Sequence, residues 1–467
     1  MNRSLPTLLA VVGGLAALPG TASAAVGCGH DGAAHKLSIT SSEDGDRPGI
    51  RRDGPAIVVT KNGQPVDCTG AVATVENTDA IALTDFSPLH NFIGIDLSDG
   101  PMAPGLTGEG QLGTPEIEIL VNGGGGFDLL QIEGTAGPDA YRLGTFNSLE
   151  TRVNLNPTGE VIADADIVAT GVERVSAIGA EGGDVIDARG GAGTAGPLLN
   201  ELVAYGYGGN DSLYAGAGGS SLDGGSGEDR IAGGTGADAI IGGPGADLLD
   251  GGLGGDILDG GGGTDTLDYS SRTAPVAIRL DGSKNDGHDP NGDGISSAAE
   301  EGDHAKNVEN AIGGAGPDRL RAIGDTVNQL LGGPGDDRLD GGAAADVLDG
   351  GAGADTISYA GRPGGVGVTL DGLANDGADP VADGVSTAAE EGDRDKSIEH
   401  ATGGDGPDRL KALGLAVNVL AGGPGADLLD TRNDTTTVDV LDCGTGRDTY
   451  RSDASDTKDS CETQVSR

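Results

Sequence analysis

The pattern of apolar and polar positions changes along the chain, from short alternating stretches in the first half to a strict nine-residue period after it. Between Gly206 and Asp268 the phrase Gly-Gly-x-Gly-x-Asp-x-apolar-x runs seven times without a gap. Its eighth place always holds an aliphatic residue, and these are Leu213, Leu222, Ile231, Ile240, Leu249, Leu258 and Leu267. One inward aliphatic residue in each short strand predicts a solenoid in which two phrases form one coil of eighteen residues.

The glycines and the carboxylate of this phrase indicate a metal site in each turn. Glycine permits the left-handed backbone angles of a sharp turn, so carbonyl groups can point into a cavity. The sixth place supplies a carboxylate in every copy except the one with Ser220, and these are Asp211, Asp229, Asp238, Asp247, Asp256 and Asp265. Carboxylate and carbonyl oxygens suit Ca²⁺, which accepts about six to eight of them in flexible geometry. We therefore predict multiple bound calcium ions.

Further copies of the phrase lie on both sides of this block. The later copies place candidate ligands at Asp318, Asp337, Asp346, Asp355, Asp408, Asp427 and, in a modified copy near the carboxy terminus, Asp448. Irregular copies before the block are GGGGFDLLQ with Asp128, GTAGPDAYR with Asp139 and GAEGGDVID with Asp184. Of these three, Asp128 and Asp184 join the candidate metal ligands.

These tandem phrases resemble the calcium-binding nonapeptides of RTX, or haemolysin-type, secreted proteins. The resemblance implies an all-β fold, a right-handed parallel β-roll or β-helix solenoid with calcium bound in glycine-rich turns. A disordered linker is the alternative, but low-complexity tracts do not keep an aliphatic residue at place eight. Many RTX proteins lack a cleaved amino-terminal signal, so their export route and toxin activity are not carried over to this chain.

A second repeat, of about ninety residues, joins the nonapeptide blocks. The stretch beginning LDGSKNDG at Leu280 returns as LDGLANDG at Leu370, which suggests that a roll and an insertion were copied together. The predicted organisation is a signal peptide at 1–24, an irregular β-helical region at 25–200, nonapeptide blocks at 201–268, 313–358 and 403–430, acidic insertions at 269–312 and 359–402, and a disulfide-bonded cap at 431–467.

The first insertion also contains the complete pattern of an EF-hand calcium loop. Its ligand places are Asp289, Asn291, Asp293 and Glu300. The second insertion has Val381 at the third place, and glycine and proline exclude amphipathic helices around either loop. Two interpretations stay open, a calcium loop without helices and a solvated acidic hairpin.

The amino terminus indicates export from the cell. Arg3 precedes an apolar run from Leu5 to Leu18 and a small-residue site ending at Ala24, which is typical of a cleaved secretory signal. A retained membrane anchor is disfavoured because the run is short. Lipidation of Cys28 is a further alternative, although Ala rather than Leu leads its motif. We expect a secreted, extracellular protein without a transmembrane segment.

Four cysteines in an exported chain favour disulfides over metal thiolates. Their order along the sequence favours pairing of Cys28 with Cys68 and of Cys443 with Cys461. Each pair would hold down one end of the solenoid.

Composition excludes several classes of function. The chain has 467 residues, no Trp, four Phe and 28 Lys and Arg against 74 Asp and Glu, which gives a net charge of −46. A large aromatic core is therefore excluded, and nucleic acid and anionic membranes are disfavoured as partners. No Gly-x-Ser-x-Gly, His-Glu-x-x-His or phosphate-loop motif occurs. We expect a calcium-binding structural or surface-associated protein that is not an enzyme. The alternatives are an adhesin and a polysaccharide- or lipid-acting enzyme with an RTX module.

Overall fold

The computed structural model describes residues 26–41, 47–78, 80–85, 92–100, 117–146, 150–155, 166–191, 194–291, 301–379, 391–413, 416–432 and 437–465. Within these ranges the backbone forms strands and turns without a helix, so the described residues include no helix that could cross a membrane. The predicted signal peptide lies outside them.

The described residues before the regular repeats form fifteen strands. They are β1 (Gly27–Asp31), β2 (Lys36–Ser41), β3 (Pro48–Asp53), β4 (Ala56–Lys61), β5 (Gln64–Pro65), β6 (Thr69–Gly70), β7 (Ala80–Asp85), β8 (Phe92–Asp96), β9 (Glu118–Asn122), β10 (Leu129–Glu133), β11 (Ala140–Phe146), β12 (Glu150–Leu155), β13 (Ile167–Thr170), β14 (Arg174–Glu181) and β15 (Val185–Asp187). Here parallel pairs such as β8–β10–β14 alternate with antiparallel hairpins such as β1–β2, β3–β4 and β11–β12.

The first two nonapeptide blocks and the first insertion form strands of three to eight residues. In the first block these are β16 (Glu201–Gly208), β17 (Ser212–Tyr214), β18 (Ser221–Ser226), β19 (Arg230–Ala232), β20 (Ala239–Gly245), β21 (Leu248–Asp250), β22 (Ile257–Gly263) and β23 (Thr266–Asp268). The first insertion and the second block give β24 (Val276–Leu280), β25 (Lys284–His288), β26 (Asp303–Lys306), β27 (Asn310–Ile312), β28 (Arg319–Ala322), β29 (Gln329–Pro334), β30 (Arg338–Asp340), β31 (Val347–Ala352) and β32 (Thr356–Ser358).

The remainder of the chain repeats this order and ends in short strands. They are β33 (Val366–Leu370), β34 (Ala374–Ala378), β35 (Asp393–Lys396), β36 (His400–Thr402), β37 (Arg409–Ala412), β38 (Val419–Ala421), β39 (Pro424–Gly425), β40 (Leu428–Asp430), β41 (Val440–Asp442), β42 (Thr445–Gly446), β43 (Thr449–Arg451), β44 (Thr457–Asp459) and β45 (Thr463–Gln464).

Successive coils pair in parallel with an eighteen-residue register, as the nine-residue period predicts. Leu213 lies opposite Ile231, which lies opposite Leu249, and on the other face Leu222 lies opposite Ile240. All five side chains are buried because the eighth place of each phrase points inward. The fold is therefore a parallel β-roll with a narrow aliphatic core, as predicted.

The strands of the roll stack into four columns, each of which is one run of parallel pairs. The first column is β15–β17–β19–β21–β23–β27–β29–β31–β35, and the second is β14–β16–β18–β20–β22–β26. The third is β24–β28–β30–β32–β36–β38–β41–β44, and the fourth is β33–β37–β40–β43–β45.

Each insertion ends one column and starts another. In the first insertion β25 pairs antiparallel with β24, which starts the third column, and with β26, which ends the second. In the second insertion β34 pairs in the same way with β33 and β35. We call these two places the first joint, β24–β26, and the second joint, β33–β35.

Both predicted disulfides are confirmed. Cys28 is bonded to Cys68 in the first strands, and Cys443 is bonded to Cys461 in the carboxy-terminal cap. The two bridges hold the two ends of the described chain, where a solenoid has no further coil to stabilise it.

Candidate metal centre

The aspartates of the repeated phrase stack directly above one another in successive coils. The backbone N–H of Asp211 donates to Oδ1 of Asp229 at 2.8 Å. In the same way Asp229 donates to Asp247 at 2.8 Å, and Asp247 donates to Asp265 at 2.9 Å. One carboxylate oxygen of each residue is thus fixed by the preceding coil, which leaves the other oxygen to face the turn.

The same bond occurs throughout the four columns. Further donor and acceptor pairs are Asp139 with Asp184, Asp184 with Asp211, Ser220 with Asp238, Asp238 with Asp256, Val276 with Asp318, Asp318 with Asp337, Asp337 with Asp355, Asn328 with Asp346, Val366 with Asp408, Asp408 with Asp427 and Asp427 with Asp448. Fourteen of the predicted ligands therefore occupy equivalent places, which the sequence period alone could identify.

The second oxygen of most of these carboxylates is buried without a hydrogen-bond partner in the described part of the chain. This holds for Oδ2 of Asp184, Asp211, Asp229, Asp238, Asp247, Asp256, Asp265, Asp337, Asp346, Asp355, Asp427 and Asp448. A buried polar atom normally has a partner, because leaving it unpaired costs free energy. Twelve equivalent unpaired oxygens indicate a common missing partner, and a cation satisfies an anionic oxygen.

Glycine keeps the space beside eleven of these twelve oxygens open, and Cys443 takes its place in the phrase of Asp448. A Cβ added at Gly224 would contact Oδ2 of Asp229 and lie 2.8 Å from the carbonyl oxygen of Gly242 in the next coil. At Gly242 it would lie 2.6 Å from the carbonyl oxygen of Gly260. The first glycine of the phrase thus leaves room between a carboxylate oxygen and a backbone carbonyl of the neighbouring coil.

The donor set fits calcium better than it fits a transition metal. Among the described residues, no three Asp, Glu, His or Cys side chains form a cluster that could hold a metal. Each turn instead combines one unpaired carboxylate oxygen with backbone carbonyls. Calcium accepts carbonyl oxygens in irregular geometry, whereas zinc and copper prefer imidazole and thiolate.

Burial changes the proton affinity of these carboxyls. Desolvation raises the pKa of Asp238, Asp256 and Asp337 to about 7, and that of Asp229 and Asp265 to about 6. Hydrogen bonds from the preceding coil and neighbouring carboxylates contribute smaller effects. Without metal, these groups therefore hold protons close to neutral pH, and a bound cation would have to displace them.

Three predicted ligands differ from this arrangement. Oδ2 of Asp318 accepts a bond from the N–H of Gly314 at 2.5 Å, and Oδ2 of Asp408 accepts one from Gly404 at 2.7 Å. Asp128 is fully buried, and its N–H donates to Oε2 of Glu173 at 2.8 Å. In the first copy of each later block the protein thus satisfies both carboxylate oxygens, Oδ1 from the preceding strand of the joint and Oδ2 from the turn of the copy itself.

The EF-hand-like loop is described only at its start. Asp289 is buried and Asn291 is exposed, whereas Asp293 and Glu300 lie outside the described residues. The loop follows a strand, β25, rather than a helix. A calcium ion in this loop stays a prediction.

The nonapeptide period did not identify the acidic residues that continue the columns at the insertions. The N–H of Asp265 donates to Glu309 at 2.9 Å, and that of Asp355 donates to Glu399 at 3.0 Å. The ninety-residue duplication contained the signal, since Glu309 and Glu399 stand at equivalent places of the two copies. At these two places the acceptor of the aspartate N–H is therefore a glutamate that lies outside the nonapeptide repeats.

At the joints a tyrosine hydroxyl binds the last carboxylate of a column. Asp303 accepts from the N–H of Asp256 through Oδ1 and from the hydroxyl of Tyr269 through Oδ2, at 2.9 and 2.6 Å. Asp393 and Tyr359 form the same pair at 2.9 Å. Both tyrosines are fully buried. The carboxylate that ends a column thus has both oxygens satisfied by the protein, unlike those within it.

Comparison with known families supports the predicted repeat type. The model of the RTX calcium-binding nonapeptide repeat matches residues 205–240, 233–267 and 323–357. These ranges contain nine of the twelve aspartates with an unpaired oxygen, namely Asp211, Asp229, Asp238, Asp247, Asp256, Asp265, Asp337, Asp346 and Asp355. A search of the curated proteins finds no matching relative.

Proposed function

We propose that this chain, which carries RTX calcium-binding nonapeptide repeats, is a secreted protein whose folding is coupled to extracellular calcium. In this proposal it has a structural or surface-associated role and no enzyme activity of its own. The observation that supports it most is the series of buried, unpaired aspartate oxygens along the columns. Calcium would bind these oxygens together with backbone carbonyls and would neutralise carboxylates that otherwise repel one another.

Two features support an extracellular setting. Both pairs of cysteines form disulfides, which persist in oxidising compartments and are rare in the cytosol. Calcium sites of repeated extracellular modules bind at about 10⁻⁴ to 10⁻³ M, so they would fill outside the cell and stay empty in the cytosol. Under this proposal the chain folds fully only after export.

The experiment is a calcium titration of the metal-stripped chain, followed by far-ultraviolet circular dichroism. We expect a coil-to-β transition between micromolar and millimolar calcium and none with magnesium, which demands a rigid octahedral shell. Asp229→Ala should shift the midpoint to higher calcium. Glu228→Ala is the matched control, since it removes the same charge from an exposed neighbour. A chain with full β content in chelator would overturn calcium-coupled folding.

The structural or adhesive role has a separate test. Labelled protein would be incubated with cells and with a glycan array in calcium and in chelator, and adhesion predicts binding that chelator abolishes. In parallel, uronate polymers and ester substrates would be incubated with the protein in millimolar calcium. Turnover of any of them, lost after heating, would contradict the non-enzymatic part of the proposal.

A further inference from the structure

A cavity of about 620 Å³ lies at the first joint, between the end of the first nonapeptide block and the β24–β25 hairpin. Its lining includes Leu253, Arg272, Ala274, Lys284, His288 and Glu301. Such a volume accommodates a small organic molecule. The cavity is therefore large enough for a ligand that is not a metal ion.

The cavity concentrates positive groups in a strongly acidic chain. Arg272 forms an ion pair with Oε1 of Glu301 at 2.9 Å, and Oε2 of Glu301 accepts the backbone N–H of His288 at 2.7 Å. Glu301 is thus fully engaged inside the lining. In the described part of the chain, the ammonium of Lys284 and the imidazole of His288 have no hydrogen bond or ion pair. These two groups remain available to a ligand.

Apolar groups lie beside these donors. Leu253 is 56% exposed at the cavity, and Ala274 adds a methyl group to the lining. The ammonium of Lys284 extends over the backbone of Gly255, where an added Cβ would lie 3.7 Å from Nζ. A ligand that places an anionic group against Lys284 could therefore pack an apolar part against Leu253.

The second joint provides an internal comparison because it is a copy of the first, ninety residues later. Arg362 and Glu391 keep the ion pair of Arg272 and Glu301. Lys284, however, corresponds to Ala374, and His288 corresponds to Ala378. The ion pair of the joint is thus duplicated, whereas Lys284, His288 and Leu253, which corresponds to Ala343, are present in the first copy alone.

We propose that the cavity at the first joint binds a small organic carboxylate, with Lys284 and His288 holding the carboxylate and Leu253 contacting the apolar part. The structural pair Arg272–Glu301, common to both joints, is sufficient to support the hairpin. Lys284 and His288 therefore have a role beyond that support. The second joint does not bind this class of ligand.

Benzoate and its neutral isostere benzamide test the proposal on the calcium-loaded full chain, with titrations followed by ligand-observed NMR. We expect saturable binding of benzoate and at least about tenfold weaker binding of benzamide, because a charge-assisted hydrogen bond is lost. K284A should weaken benzoate binding by about tenfold or more. K411A, which removes an exposed lysine elsewhere, is the control and should leave binding unchanged.

The double variant K284A/H288A gives the first joint the two alanines of the second, at the places of Ala374 and Ala378, and should abolish saturable binding. The reverse variant A343L/A374K/A378H, which also supplies a counterpart of Leu253, should add a second benzoate site to the chain. Circular dichroism in calcium verifies that each variant is folded. Equal affinity for benzoate and benzamide, or an unchanged affinity in folded K284A, would overturn the proposal.

Discussion

The amino-terminal region and the first nonapeptide block are both parallel solenoids, but they bury different amounts of apolar surface. Strand β7 buries two aliphatic side chains, Ile81 and Leu83, at 0 and 2% exposure. Strand β17 buries only Leu213. The amino-terminal region also has antiparallel hairpins and the Cys28–Cys68 bridge, whereas the block has a column of unpaired carboxylates.

The difference shows what replaces a hydrophobic core when the core is too narrow. Each buried aliphatic side chain contributes roughly 1.5–3 kcal/mol to the free energy of unfolding. A coil with half as many buried aliphatic side chains therefore loses much of this stabilisation. The carboxylates of the block add repulsion unless a cation lies among them. Stability in the block should therefore depend on metal, and stability in the amino-terminal region should depend on packing.

Removal of calcium should produce the largest difference in stability between the two regions. We expect the amides of 206–268 to lose hydrogen-exchange protection in chelator, because no cation then neutralises the buried, unpaired carboxylate oxygens. The amides of β7, β8, β10 and β14 should keep most of theirs, since their core is aliphatic. Hydrogen exchange with mass spectrometry measures both at once, and equal loss in the two regions would show that they do not differ in metal dependence.

Single aspartates from the two regions should also behave differently. Asp247→Ala removes an unpaired oxygen, so the number of bound calcium ions should fall by at least one. At a free calcium concentration of 100 times Kd, the loss of one site lowers the free energy of unfolding by roughly 2.7 kcal/mol. Asp139→Ala is the matched variant, because Oδ2 of Asp139 already accepts bonds from the N–H and hydroxyl of Thr135. Isothermal titration should find its stoichiometry unchanged, and a reduced value would mean that Asp139 also binds calcium.

Acidity should weaken calcium binding in the block. Burial raises the pKa of Asp256 to about 7 and of Asp265 to about 6 from the ordinary 3.8, so the metal-free folded chain holds more protons than the unfolded chain. Stability without calcium therefore falls as pH rises from about 4 to about 7. Calcium affinity should rise over the same interval, because the metal displaces those protons. Titrations at pH 5, 6 and 8 with one common midpoint would contradict this.

The smallest effect on stability is expected at the first joint, where the hydroxyl of Tyr269 donates a hydrogen bond to the second carboxylate oxygen of Asp303. Tyr269→Phe leaves Oδ2 of Asp303 without its bond and should cost about 1–3 kcal/mol of stability. Calcium stoichiometry should not fall, because the protein itself satisfies both oxygens of Asp303. Tyr214→Phe is the control, since Tyr214 is half-buried and its ring packs against the guanidinium of Arg189. Thermal melts in calcium compare the two, and equal melting temperatures would mean that the hydroxyl of Tyr269 adds nothing.

The regular part of the molecule was predictable because its signals are local and periodic. The eighteen-residue coil, the inward aliphatic ladder and the stacked aspartates all follow from the nine-residue phrase, and the disulfides follow from cysteine order. The joints were not predictable in the same way. Asp303 and Glu309 recur ninety residues later as Asp393 and Glu399, but they lie outside the nonapeptide phrase, and only the folded chain places them next to Asp256 and Asp265.

The alternation of the joints has a mechanical consequence. At the first joint the second column stops while the first continues through β23–β27, and at the second joint the first column stops while the third continues through β32–β36. The two breaks are staggered, so one of the two columns of parallel strands continues at the level of each insertion. A pulling force applied along the solenoid axis would therefore meet a continuous run of interstrand hydrogen bonds at each insertion. The insertions are thus not expected to be the points at which the solenoid unfolds first under force.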